Sequence, residues 1–204
     1  MNRTVIQAEA LAWLNGQEPD SYLAIVTSLP DPEEVGISIQ KWKTWIAAVA
    51  ESIDRVLDPR GIAVFYQTDR RVNGEILDKK SRISAAFYDL GYRTVLSKIA
   101  LTQNPDTTNL FRPTYTNLFA VSKKATSGQA TPDVFGAGKK VYPNATGLKA
   151  ATVALEYVRS QVGDVVILDP FCGQGSILKI ANDLGLDSIG IDIDESQVLK
   201  ARKL

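Results

Sequence analysis

One stretch of this sequence allows few folds. Val165-Val166-Ile167-Leu168-Asp169-Pro170-Phe171-Cys172-Gly173-Gln174-Gly175-Ser176 joins an apolar run, a turn with two glycines and the start of an amphipathic segment. A continuous apolar run reads as a strand buried on both faces. The glycines let the backbone bend sharply and approach a ligand, and the following helix aims its N-terminus at the same point. About 20 residues on, Gly190-Ile191-Asp192-Ile193-Asp194 ends a second strand with a carboxylate suited to accept hydrogen bonds from ribose hydroxyls.

Strand and helix signals alternate along the rest of the chain, which predicts an α/β domain. Strands are expected over residues 4–7, 22–27, 62–66, 93–101, 115–121, 165–168 and 188–191. Helices are expected over 8–14, 38–56, 82–90, 146–158, 176–184 and 195–203. The best of these is 38–56, where Trp42, Trp45, Ile46, Val49, Ile53 and Val56 recur at helical spacing. Residues 102–113 read as a loop or hairpin connection. Residues 123–140, rich in Ser, Thr, Gly, Lys and Ala, read as a mobile loop.

Composition narrows the chemistry. The 204 residues carry 23 Lys plus Arg against 23 Asp plus Glu, so a uniformly basic nucleic-acid surface is not expected, although local basic clusters such as Arg70-Arg71 and Lys79-Lys80 occur. There is one cysteine, Cys172, and no histidine. An internal disulfide, a histidine-based catalytic triad and a structural zinc site are therefore excluded or strongly disfavoured, and no metal ligand set is expected. Proton transfer must use carboxylates, Lys, Tyr or water. No apolar run approaches the ~20 residues of a membrane span, and the N-terminus lacks the apolar stretch of a secretory signal. The expected setting is the cytoplasm, with an organelle as the alternative and no membrane partner.

Nicotinamide and S-adenosylmethionine folds both use the strand-turn-helix device. The nicotinamide fingerprint places glycine where this chain has Leu178. Asp169 at the strand end would repel a pyrophosphate but could receive the ammonium group of a methionine moiety. That combination favours S-adenosylmethionine.

At these residues the chain resembles the class I S-adenosylmethionine-dependent methyltransferases, above all the amino-methylating (N4-cytosine and N6-adenine) DNA methyltransferases of permuted motif order. In that order the catalytic half precedes the cofactor half. Val5 to Leu14 is similar to their opening strand and helix, Ser21 to Asp31 to their catalytic strand and loop, and Phe111 to Lys123 to the strand that closes the catalytic half. Tyr142-Pro143-Asn144-Ala145-Thr146-Gly147 is similar to their pre-cofactor motif. The resemblance implies a three-layer, Rossmann-like, circularly permuted domain with a mostly parallel seven-stranded sheet. It would span residues 1–204, with a catalytic half (1–123), a mobile loop (124–142) and a cofactor-binding half (143–204). By the same likeness Asp169, Pro170, Phe171, Cys172, Gly173 and Gly175 surround the methionine part of the cofactor, and Asp192 binds the ribose. Glu9 lies near the adenine edge or is a helix-start carboxylate; Asn144 and Thr146 bond the cofactor's carboxylate or cap a helix. Cys172 is not read as a nucleophile, since it lies inside the cofactor turn without a histidine partner.

The catalytic loop departs from the family. Ser28 and Pro30 match its pattern, Leu29 replaces the first proline, and Asp31 replaces the aromatic that stacks on a flipped base. Ser28, Pro30 and Asp31 are the expected catalytic residues, with Asp31 orienting or deprotonating the acceptor or lying in an acidic surface loop. Only about 20 residues (124–142) occupy the interval where the DNA enzymes usually insert a recognition region. These departures predict a nucleic-acid methyltransferase that prefers RNA to DNA, with a protein partner as a possible source of substrate recognition. The alternatives are an inactive methyltransferase-like partner subunit and a methyltransferase of small molecules or proteins, with a nicotinamide oxidoreductase more remote.

Overall fold

Apolar runs at residues 22–27 and 62–66 lie side by side at the centre of the molecule, because strands apolar on both faces must be covered on both. The computed structural model describes residues 1–204 except 73, 125, 127, 129, 130, 143 and 144. The strands are β1 (Arg3–Gln7), β2 (Tyr22–Thr27), β3 (Leu57–Gln67), β4 (Arg70–Val72), β5 (Glu75–Leu77), β6 (Arg93–Leu101), β7 (Tyr115–Ser122), β8 (Val134–Gly136), β9 (Ile167–Asp169) and β10 (Ser188–Asp192). The helices are α1 (Ala10–Asn15), α2 (Ile39–Val56), α3 (Lys79–Asp89), α4 (Leu148–Val162), α5 (Ser176–Asp183) and α6 (Glu195–Lys203). None of the described helices is long and apolar enough to cross a membrane.

Eight strands form one sheet in the order β1-β10-β9-β2-β3-β7-β6-β8, and β4 and β5 form a separate hairpin. Within the large sheet β7 alone runs against its neighbours. Alternate residues of each strand feed two cores. Ala24, Val26 and Val64 pack with Ala154, Leu155 and Val158 of α4 and Ile177 and Ile180 of α5. Ile25, Ala63 and Phe65 pack with Trp42, Ile46, Val49 and Ile53 of α2 and Ile83 and Phe87 of α3. Helix α6 sits beside α5, with Val198 and Ala201 against Val5, Cys172 and Leu178. The result is three layers: helices, sheet, helices.

After β9 the chain proceeds through α5 to β10, on one side. After β2 it proceeds through α2 to β3, on the other side. Neighbouring parallel strands whose continuations diverge leave a crevice beyond their C-terminal ends, where open α/β sheets bind ligands. That junction positions the site.

Two expectations are corrected. The sheet has eight strands, not seven: Val134–Gly136 pairs in parallel with Ile99, Ala100 and Leu101 at the sheet edge. The segment 123–140, expected to be a mobile loop, is therefore anchored in part. The buried Lys98 reaches across to it and donates to the carbonyls of Thr131 and Pro132 at 3.1 and 3.0 Å. Beyond β8, the carbonyls of Ala137 and Lys139 accept from the amides of Ala150 and Leu148 at 3.1 and 2.8 Å, satisfying donors in the first turn of α4. The hairpin β4–β5, which turns at Gly74 with φ +82°, was also not expected.

Docking of this segment demands glycine at the start of α4. A Cβ on Gly147 would lie 2.3 Å from the carbonyl oxygen of Ala137. Gly147→Ala is expected to lower stability by about 1–3 kcal/mol, read as a lower midpoint in denaturant. An unchanged midpoint would mean that the 137–139 segment is not seated on α4.

Candidate functional site

The loops that follow β1, β2, β9 and β10 enclose a cavity of about 910 Å³ at the switch point. Of the residues expected from the sequence, Glu9, Ser28, Pro30, Thr146, Asp169, Pro170, Phe171, Cys172, Gly173 and Asp192 line it. Asp31 and Gly175 do not, and Asn144 lies outside the described residues.

Asp169 ends β9 in a fully enclosed position. The Thr27 hydroxyl, at the end of adjacent β2, donates to its Oδ1 at 2.7 Å, and the Phe171 amide donates to the same oxygen at 3.2 Å. Burial nevertheless pushes the carboxyl up to about 7, since no cation is near enough to offset lost solvation. Asp192 bridges the two cofactor motifs: its Oδ2 accepts from the Gly173 amide at 2.9 Å and its Oδ1 from the Asp194 amide at 2.8 Å. Burial raises this carboxyl as well.

The turn between β9 and α5 is held by its glycines. Gly173 and Gly175 adopt φ of +53° and +82°, conformations that residues with a Cβ rarely take. A Cβ on Gly175 would also meet the Ala201 Cβ at 2.9 Å, so this glycine seats α6 and does not face the cavity. Phe171 is fixed edge-on against Trp45 of α2, with ring centroids 5.6 Å apart. Burial pushes the Cys172 thiol far up, which leaves it protonated and without nucleophilic character.

Glu9 is the helix-start carboxylate that the sequence offered as one reading. It caps α1, accepting from the amides of Leu11 and Ala12 at 3.1 and 2.7 Å, and it also lines the cavity. The N-cap of α4 is Gly147, one residue after Thr146, and it makes no side-chain cap bond.

The loop that follows β2, residues 28–31, is clamped from below. Trp42 Nε1 donates to the Pro30 carbonyl at 2.9 Å and the buried Gln67 Nε2 to the Leu29 carbonyl at 3.2 Å. Leu29 is buried, whereas Ser28 is exposed toward the cavity. Asp31 turns the other way, into an ion cluster. Lys79 Nζ donates to one carboxylate oxygen; Arg70 Nη1 donates to the other at 2.7 Å, with Arg112 Nη2 3.6 Å from it. Burial pushes Asp31 up, but Lys79 and Arg70 outweigh it and hold the group below the usual carboxylate range. A carboxylate so engaged is a weak base, and it does not reach the cavity where an acceptor would sit.

Thr27, Trp45, Tyr142, Lys79 and Gln67 complete the site without having been assigned to it from the sequence. Tyr142 lay inside a motif that the sequence did mark, and Lys79 in a local basic cluster. Trp45 carried only the helical periodicity of a core residue. Thr27 and Gln67 are brought in by topology.

Five carboxylates line the cavity (Glu9, Glu34, Asp169, Asp192 and Asp194), and among its described residues there is no Lys or Arg. A cavity of this sign favours a cationic ligand and disfavours a pyrophosphate.

Residues 113–203, from just before β7 through the turn between β9 and α5 to α6, match the family described as DNA methylase, of the N6/N4 methyltransferase type. The likeness is to DNA methylases. No curated relative matches the chain at the level of sequence. Among solved structures, TTHA0409 of Thermus thermophilus, named as a DNA modification methylase and solved in complex with S-adenosyl-L-methionine, superposes with a TM-score of 0.75 at 20% identity, covering 100% of this chain and 94% of that one. The M1.HpyAVI–SAM complex gives 0.68 at 19% identity, covering 98% of each chain. The cytosine-N4-specific PvuII DNA methyltransferase gives 0.80 at 13% identity, covering 99% of this chain and 86% of that one. At such identities these matches establish the fold. The resemblance seen in the motifs is borne out, but the expected preference for RNA over DNA is not supported, because the matching family, TTHA0409 and the PvuII enzyme are all described as acting on DNA.

The ion cluster around Asp31 predicts a stability effect. Asp31→Ala leaves the Lys79 ammonium buried without its counter-charge, at a cost of about 3–5 kcal/mol. The double variant Asp31→Leu, Lys79→Met should recover much of that loss in chemical denaturation. Equal stability of Asp31→Ala and the parent chain would refute the clamp.

Proposed function

We propose that the chain is an S-adenosylmethionine-dependent methyltransferase acting on an exocyclic amino group of a base in DNA. The observation that carries the proposal is the cavity at the switch point, built around a buried Asp169, in which every charged group among the described lining residues is acidic. S-adenosylmethionine carries a sulfonium and an ammonium against one carboxylate, so its net charge suits this lining. A nicotinamide dinucleotide would bring a pyrophosphate among five carboxylates. TTHA0409 and M1.HpyAVI were both crystallised with the same cofactor.

In this proposal Asp169 receives the ammonium, Asp192 the ribose hydroxyls, and Thr146 the carboxylate end. Phe171, braced by Trp45, walls the pocket. When bound, S-adenosylmethionine supplies an electrophilic methyl group on sulfur. The chain aligns an amino nitrogen with that methyl and excludes water. Ser28 accepts one amino hydrogen through its hydroxyl. The Leu29 and Pro30 carbonyls, held by Gln67 and Trp42, form the rigid edge beside it. The proton released from nitrogen passes to water, since Asp31 is already committed to Lys79 and Arg70.

The same proposal takes the chain as one methyltransferase domain of permuted order. Its support is that β1, first in sequence, pairs with β10, last in sequence, and that the catalytic loop precedes the cofactor turn.

Two measurements test the proposal. Calorimetry should detect S-adenosylmethionine and not NAD. Because Asp169 must be ionised to receive a cation, affinity should rise about tenfold per pH unit below pH 7 and level off above it. Asp169→Asn should bind weakly and without that pH dependence. Stability without ligand carries the opposite sign: a raised folded-state value means stability falls as pH rises from 3.8 toward 7, and Asp169→Asn should flatten that slope. Incubation with methyl-labelled cofactor should label DNA on adenine or cytosine amino nitrogen, and Ser28→Ala should lower the rate by about 10²-fold or more. Cofactor binding without transfer to DNA would instead favour a partner subunit.

A further inference from the structure

The loop between β6 and β7 ends in two adjacent apolar side chains that the fold leaves outside. Leu110 is 85% exposed and Phe111 77% exposed. Isolated exposed apolar residues are ordinary, but an adjacent pair on a fixed turn is not. The turn is fixed. Asn109 Oδ1 accepts from the amides of Phe111 and Arg112 at 2.8 and 3.1 Å, and the Phe111 carbonyl accepts from the Arg71 amide of the β4–β5 hairpin at 3.3 Å. In that hairpin Arg71 pairs with Ile76, itself 57% exposed. Two exposed cations flank the apolar tip, Arg71 and Arg112. Arg112 and Arg70 converge on Asp31, so the tip is tied to the catalytic loop.

We propose that Leu110 and Phe111 form a wedge that enters the base stack of duplex DNA while Arg71 and Arg112 hold the flanking phosphates. The proposal rests on the methyltransferase function proposed above and names how its substrate is opened. A base cannot be methylated inside a duplex without leaving the stack, and apolar side chains inserted between base steps help to unstack it. Asp31, buried in ion pairs, offers the base no apolar contact from the loop after β2. The tip supplies both an aromatic and an aliphatic group, already ordered, so little entropy is lost on insertion. The neighbouring arginines match a polyanion, whereas the cavity lining does not.

The test uses one DNA sample in two forms, native duplex and heat-denatured, with methyl-labelled cofactor. The variant is Leu110→Ala, Phe111→Ala; both side chains are solvent-exposed, so folding should be preserved, and cofactor affinity serves as the control. The expected result is a rate on duplex at least about tenfold lower and a rate on denatured DNA within about threefold of the parent. Phe111→Trp should restore duplex activity, since any aromatic ring can stack. Equal duplex rates for variant and parent would overturn the wedge, as would a parallel loss on both DNA forms. A parent chain inactive on both forms would instead remove the methyltransferase function, and the wedge with it.

Discussion

A hydroxyl from one strand and a carboxylate from its neighbour meet where β2 and β9 end, and the site depends on that contact. Thr27 and Asp169 are 142 residues apart in sequence, so their hydrogen bond joins the two halves of the chain. The strands lie side by side because both are apolar on both faces, and their continuations diverge because each crosses over to its own flank of the sheet. Divergence opens the cleft, and the hydrogen bond fixes which way the carboxylate faces within it. The rest is arranged around this junction. Asp192 locks the glycine turn from one side, and Trp45 braces Phe171 from the other. Among the described residues Asp169 accepts from two donors and meets no counter-ion, so its ionised form is disfavoured by burial and a cation would relieve it. Binding energy for a cationic ligand is in this sense built in before the ligand arrives.

What could be read from the sequence follows from the range over which each signal acts. The strand, turn and helix around Asp169 to Ser176 are local, and an apolar run next to glycines states its own geometry. Helix α2 was legible because 18 residues give five turns of consistent periodicity. The three-residue strands β4, β5 and β8 were not legible. They form because another element offers them a partner, and a run of three has too few positions to show a period. Lys98 illustrates the same limit: within β6 it reads as a surface lysine, yet its stem is buried and its ammonium secures the segment before β8.

The catalytic loop was legible in position but not in role. Ser28 to Asp31 could be placed from the preceding strand and the two prolines, and the structure sets the first three of those residues at the cavity. The direction of Asp31 could not be inferred, because its partners come from 39 and 48 residues further along. An acidic residue beside a methyl-donor site suggests a base; enclosed by Lys79 and Arg70 it becomes a tether. Which description holds is decided by the neighbours, since a carboxylate whose charge is already matched gains little by taking a proton.

The buried Asp31 sets the electrostatics of the face around it. Asp31 gathers Arg70, Lys79 and Arg112 to the outer side of the catalytic loop, while its inner side looks onto five carboxylates. The formal net charge of zero thus conceals two opposite local fields. Salt limits each field to about 10 Å at 0.1 M ionic strength, so local sign and not total charge governs what each face attracts. Such fields would draw a cationic small ligand inward and keep a polyanion to the rim. Neither would be served by a uniformly basic surface, which would draw the polyanion but repel the cation. A neutral chain that gathers three cations around one buried aspartate is therefore compatible with a nucleic-acid substrate.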